Sequence, residues 1–128
     1  MIPTMEEAYE KLREAESMNP GRWVAHSENV AKAASLIAKK VETMDENKAY
    51  ILGLLHDIGR RVGYVGKRHI WEGYKYTKEM GWDEVARICL THSFPVKDID
   101  IDISMDDLND AEREYIMNYL NEIIISVK

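Results

Sequence analysis

The chain has 128 residues, one cysteine and a net charge of −6, with 45% apolar and 31% charged residues. That length is one domain's worth with a real core, and the apolar share excludes a disordered chain. A lone Cys89 excludes a disulfide framework or a multi-cysteine zinc site, and the acidic balance argues against duplex nucleic acid as a partner.

In chain order the pattern is helical almost throughout. Thr4 and Glu7 have capping-box spacing and open a first helix to about Ser17. Asn19-Pro20-Gly21 is a turn. A second helix is expected over about Arg22 to Val41, with Trp23, Val30, Ala33, Ala34, Ile37 and Val41 as its apolar stripe. Asp45 is placed to cap a third helix whose segment Tyr50–Leu55 is apolar all round, which predicts a central, buried element. Gly59 stands where a left-handed residue would end it. Residues 60–68 read as a loop. A fourth helix is expected from His69 to Met80, stopped by Gly81, and a fifth from Asp83 to Thr91. The Asp/Ile alternation over 98–103 favours extended chain. Ser104 and Asp107 suggest the cap of a last helix over about 105–128. The expected fold is an all-α, compact single-domain bundle of about six helices spanning 1–128.

No apolar run approaches the ~20 residues of a membrane span. The segment Met1–Glu16 lacks a basic stretch followed by an apolar one, so no signal peptide is read there and a cytoplasmic location is expected.

All four histidines fall on expected inward faces or helix ends. His26 lies three residues after Trp23 and four before Val30. His92 lies three after Cys89. His56 and Asp57 end the buried third helix, and His69 begins the fourth. Each alone reads as a packed core histidine. Jointly they present several polar nitrogens that need partners, and a shared cation supplies those partners at once. Asp57 can join His56 on one ion or bridge two. Imidazole with carboxylate and no thiolate suits Mn, Fe, Co, Ni or Zn, and Mg less well.

His26, followed about thirty positions later by Leu54-Leu55-His56-Asp57-Ile58-Gly59-Arg60, resembles the HD-domain superfamily of metal-dependent phosphohydrolases. The later His69 and His92 resemble the extra histidines of its two-metal members. The resemblance spans about Arg22 to Pro95. It implies a helical bundle around one or two divalent ions: His26, His56 and Asp57 on the first, with Asp57 bridging to a second held by His69 and His92. It also implies hydrolysis of small phosphate esters, nucleotides above all, with Asp57 and Arg60 as catalytic residues. Arg60 stands where many members carry a lysine near the phosphate. The family's late aspartate has no clear counterpart among Asp98, Asp100, Asp102, Asp106, Asp107 and Asp110. The expectation is that it lies beyond Lys128 in a longer form or is absent.

Between Ile58 and Trp71 stand Arg60, Arg61, Lys67 and Arg68 with no acid, a basic stretch suited to a phosphate substrate or simply a solvated loop. Gly63 and Gly66 would let that stretch close as a lid. Glu72 reads as a surface acid or a proton acceptor. Trp71 reads as packing or as a surface for a base to stack on. Gly66-Lys67 is not a P-loop, because Arg61 and Arg68 stand where Gly and Ser or Thr are needed. Asp98-x-Asp100-x-Asp102 is not a calcium loop, because Ile103 and Asn109 replace the required Gly and Glu. Cys89 reads as a packing residue. The run Ile123-Ile124-Ile125-Val127 suggests a homodimer contact. Two other readings stay open: an HD-like domain that binds metal or nucleotide without turnover, and a helical protein whose histidines are merely packed.

Overall fold

A computed structural model of the chain describes residues 1–63, 68–92 and 108–127, the segment 120–127 as helix without its side chains. The elements are α1 (Met5–Met18), α2 (Arg22–Lys39), α3 (Glu46–Leu55), a 3₁₀ helix (Ile58–Val62), α4 (Arg68–Glu79), α5 (Asp83–Thr91) and α6 (Asp110–Val127). Among the described residues there is no strand, and the fold is all-α. The extended piece expected at 98–103 and the cap expected at Ser104 lie outside the described residues.

The local chemistry of the caps places several boundaries. Thr4 and Glu7 exchange their side-chain and backbone hydrogen bonds at the start of α1, a reciprocal capping box. Asp45 accepts from the Lys48 amide at the start of α3. Gly81, at φ 78°, takes the left-handed turn after α4.

Four expectations need correction. The buried line of α2 is Val24, Ser27, Ala31 and Ala38, whereas Ile37 is 61% exposed. The cause is a close crossing with α3: a Cβ on Gly53 would come within 2.9 Å of the Ala31 Cα. Only small residues fit such a contact, so Leu36 and Ile37 turn outward, Trp23 and Val30 are half-buried, and His26 is exposed. Gly59 is not left-handed. It lies in the 3₁₀ helix, and a Cβ there would stand 1.8 Å from the His69 carbonyl oxygen and 2.5 Å from the Gly73 nitrogen. Glycine is required for that approach and not for its φ. Residues 60–62, expected as loop, belong to the same 3₁₀ helix. The last helix begins at Asp110 and not near 105, because Asn109 and Glu112 exchange side-chain and backbone hydrogen bonds there.

Two packed cores result. One gathers Leu12 of α1, Val24 and Ala31 of α2, Ile51, Leu54 and Leu55 of α3, and Val85 and Cys89 of α5. The other joins Ile70 and Tyr74 of α4, Ala86 and Leu90 of α5, and Leu108 and Ile116 next to and on α6. Cys89 is buried, donates weakly to the Leu55 carbonyl at 3.4 Å, and its thiol is pushed up to about 12 by burial. α4 and α6 are tied by Arg68, whose guanidinium grips both Glu112 oxygens at 2.8 and 3.0 Å. No helix among the described residues is long and apolar enough to cross a membrane.

Gly59→Ala should lose about 3 kcal/mol of stability in urea unfolding through overpacking, whereas Gly21→Ala, whose Cβ meets nothing closer than 3.4 Å, should change it by less than about 0.5 kcal/mol. The Glu112 carboxyl, despite burial, is held below its ordinary 4.5 by Arg68 and the Asn109 amide. A carboxyl lowered in the folded state stabilises above its unfolded value, and that stabilisation is lost as the pH falls through the folded value. Glu112→Gln should therefore cost about 2 kcal/mol near neutral pH, with the gap closing below pH 4.5 in unfolding curves taken at stepped pH.

Candidate metal centre

Four helices deliver the histidines. His26 lies in the second turn of α2 and His69 in the first turn of α4, while His56 and His92 are the C-terminal caps of α3 and α5. Asp57 follows His56 at φ −109°, ψ 17°, outside helical geometry. Adjacent residues within a helix diverge by about 100°. Leaving the helix at Asp57 lets the two side chains converge.

The cap positions also set the protonation of two imidazoles. The last carbonyls of a helix lack intrahelical partners. His56 Nδ1 lies 2.6 Å from the Gly53 carbonyl oxygen, and His92 Nδ1 lies 3.0 and 3.2 Å from those of Cys89 and Ile88. A carbonyl only accepts, so Nδ1 carries the proton in both rings. In the neutral ring Nε2 is then a bare lone pair. Such an orienting contact is the usual outer support of a metal-binding histidine.

Both Nε2 atoms face Asp57, which is only 5% exposed. Its Oδ1 lies 3.2 Å from His69 Nε2 and 3.1 Å from His92 Nε2, and those two nitrogens are 3.4 Å apart. Its Oδ2 lies 3.5 Å from His56 Nε2 and 3.2 Å from Arg60 Nε. His26 completes the second side, its ring centroid 5.6 Å from that of His56. The donors therefore form two groups sharing Asp57: His26, His56 and Asp57, and Asp57, His69 and His92.

The charge state suits a cation. Burial opposes ionisation of Asp57, and a positive group at the facing Nε2 atoms of His69, His92 and His56, a proton or a metal ion, outweighs it and holds the carboxyl well below the usual carboxylate range. Burial pushes His56 below its ordinary 6.5, so its ring is neutral at neutral pH. A bare Nε2 on His92 facing an ionised oxygen at 3.1 Å is lone pair against lone pair. Oδ1 is buried and makes no hydrogen bond of good geometry. A cation between these atoms removes both problems. The triangle Oδ1, His69 Nε2, His92 Nε2 has edges of 3.1–3.4 Å. Donors bonded at about 2.1 Å to one ion stand about 3.0 Å apart in an octahedron and about 3.4 Å apart in a tetrahedron. The residues fit a divalent ion.

The basic stretch divides. Arg60 touches Asp57. Arg61 lies 4.1 Å over the Tyr76 ring and 3.6 Å from Glu14. Arg68 is engaged by Glu112 and Glu72, and Glu72 also pairs with Lys75. Trp71 stacks on Tyr74 and meets the edge of Tyr115, so it belongs to packing. Lys67, Gly66 and Asp98, Asp100, Asp102, Asp106 and Asp107 lie outside the described residues, as do the side chains of Ile123–Val127. Asp110 is exposed at the start of α6. Among the described residues neither donor group has a fourth protein ligand. Sequence reasoning missed Asn19, whose side-chain amide donates to the Arg60 carbonyl at 2.7 Å and fixes that backbone. Its only signal was a turn residue.

Compared with known families, residues 23–127 match the one described as the HD domain. No curated protein and no solved structure gives a match.

Purified protein should carry divalent metal by elemental mass spectrometry, and Asp57→Asn should lose at least 90% of it. Loading should weaken in acid, at a pH below the ordinary 6.5 of histidine, because burial lowers the pH at which a proton competes for His56 Nε2.

Proposed function

Because the chain belongs to the HD-domain family, typically metal-dependent phosphohydrolases, we propose that it hydrolyses phosphate esters of small molecules, nucleotides first among them. The observation that carries this reading is a buried, ionised Asp57 with lone-pair-bearing donors against both of its oxygens. His69, His92 and Asp57 Oδ1 would hold one ion, and His26, His56 and Oδ2 the other. A bound divalent ion supplies Lewis acidity, which eases deprotonation of water and neutralises phosphate oxygens.

The rest is the work of this chain's own side chains. The Nδ1–H contacts to backbone carbonyls lock the His56 and His92 rings, so their Nε2 atoms stay aimed without reorganisation. Asp57 keeps its charge at any neutral pH. Arg60, partly exposed beside the cluster, has a fork suited to a phosphate oxyanion. Arg61 lies next to it on the same 3₁₀ helix. Arg68 and Lys67 were the other cations read for phosphate, and the Arg68–Glu112 pair favours a bracing role for Arg68. A cytoplasmic location and a small anionic partner, without duplex nucleic acid or membrane, complete the proposal.

The absence of a fourth protein donor among the described residues favours one other reading, an HD-like domain that binds metal or nucleotide without turnover. A panel of nucleotides and phosphate monoesters assayed with Mn²⁺, Ni²⁺ or Zn²⁺ decides between them. The expected result is metal-dependent phosphate release, reduced at least 100-fold in His92→Ala. Arg60→Ala should raise KM or lower kcat by about tenfold, the loss of one charge-assisted contact. Metal bound without any phosphate release would leave the binding module.

A further inference from the structure

We infer that Arg60 acts as an internal cation on one side of Asp57, so that the two donor groups load unequally: His69–His92–Oδ1 takes the first, tight ion, and His26–His56–Oδ2 a second, weaker one. The inference rests on the reading of the cluster as a metal centre and adds an order of filling, with the residue that sets it.

The two oxygens of Asp57 have different surroundings. Beside Oδ2 stands the Arg60 guanidinium, its Nε at 3.2 Å. Beside Oδ1 stand two imidazoles, His69 Nε2 at 3.2 Å and His92 Nε2 at 3.1 Å, whereas the closest approach of Arg60 is to Oδ2. A guanidinium does not lose its charge near neutral pH. An ion entering at Oδ2 therefore meets a permanent positive charge a few ångströms away, in a setting where like charges repel more strongly than in water. It also shares its carboxylate oxygen with that charge.

Arg60 is not free to retreat at its root. Its carbonyl is held by Asn19 at 2.7 Å, and its Nε is buried without a hydrogen bond of good geometry. What keeps the guanidinium at Oδ2 is charge attraction, which is what a second metal ion would have to replace. Burial reinforces the difference. His69 is 4% exposed, whereas His26 is an exposed residue on the other side. Water screens and competes at His26 and is largely excluded at His69.

The test is a Mn²⁺ titration of the full, metal-stripped chain, read by the electron paramagnetic resonance of free Mn²⁺ and by calorimetry, with folding of each variant checked by circular dichroism. Wild type should show one tight site and a second at least tenfold weaker. His92→Ala should abolish the tight site, and His26→Ala the weak one. Arg60→Met, which keeps length without charge, should tighten the second site at least tenfold and leave the first unchanged. Arg60→Lys, which keeps the charge, should retain the unequal pair. Two equal sites in wild type, or a second site unmoved in Arg60→Met, would overturn the inference. No Mn²⁺ bound by any form would instead remove the metal centre itself, and the order of filling with it.

Discussion

One buried negative charge organises this molecule. Removing a carboxylate from water costs several kcal/mol unless oppositely charged or polar groups surround it. Asp57 is surrounded by groups from every side: His56 from α3, His69 from α4, His92 from α5 and Arg60 from the 3₁₀ helix. His69 and His92 come from segments far from Asp57 in the chain, so the backbone must bring them within about one side-chain length. Gly53 against Ala31 and Gly59 against His69 and Gly73 make that approach possible. The glycines that look like punctuation in the sequence are spacing elements of the centre.

The same local device serves twice. A helix ends with carbonyls that lack partners, and a histidine at the cap donates its Nδ1–H to one of them. His56 and His92 both do this. The arrangement satisfies the helix end, fixes the tautomer and aims the other nitrogen inward. Placing donors at helix ends thus joins a requirement of the fold to a requirement of the site. His26, in the body of α2, has no such anchor among its described contacts, and it is the exposed member of the set.

Much of the fold was readable because its signals are local. The Thr4–Glu7 capping box, the Asp45 cap, the Gly81 turn and the span Asp83–Thr91 all depend on residues a few positions apart. The five residues His26, His56, Asp57, His69 and His92 stood out as residue types spent against expectation, and they do come together in space. What the sequence hid depends on distant contacts. The buried face of α2 was misjudged because its small residues, not its large ones, meet α3 at Gly53. Gly59 was read for its φ when its role is a contact with α4. The start of α6 was assigned to Ser104, although Asn109-x-x-Glu112 carries the same capping signature as Thr4-x-x-Glu7. The pairing of Arg68 with Glu112 spans most of the distance between two helices in sequence, and nothing in either neighbourhood announces it.

α5 belongs to both cores at once. Val85 and Cys89 pack with α1, α2 and α3, while Ala86 and Leu90 pack with the α4–α6 side. A nine-residue helix with two buried faces cannot detach from one core and remain seated in the other. The two halves of the bundle are therefore coupled through a shared wall, and opening either one exposes apolar surface of both. Such coupling makes for a single cooperative unit, with amide protection that rises and falls together across the cores. His92 sits at the end of that wall, so whatever it binds is linked to the folding of the whole bundle.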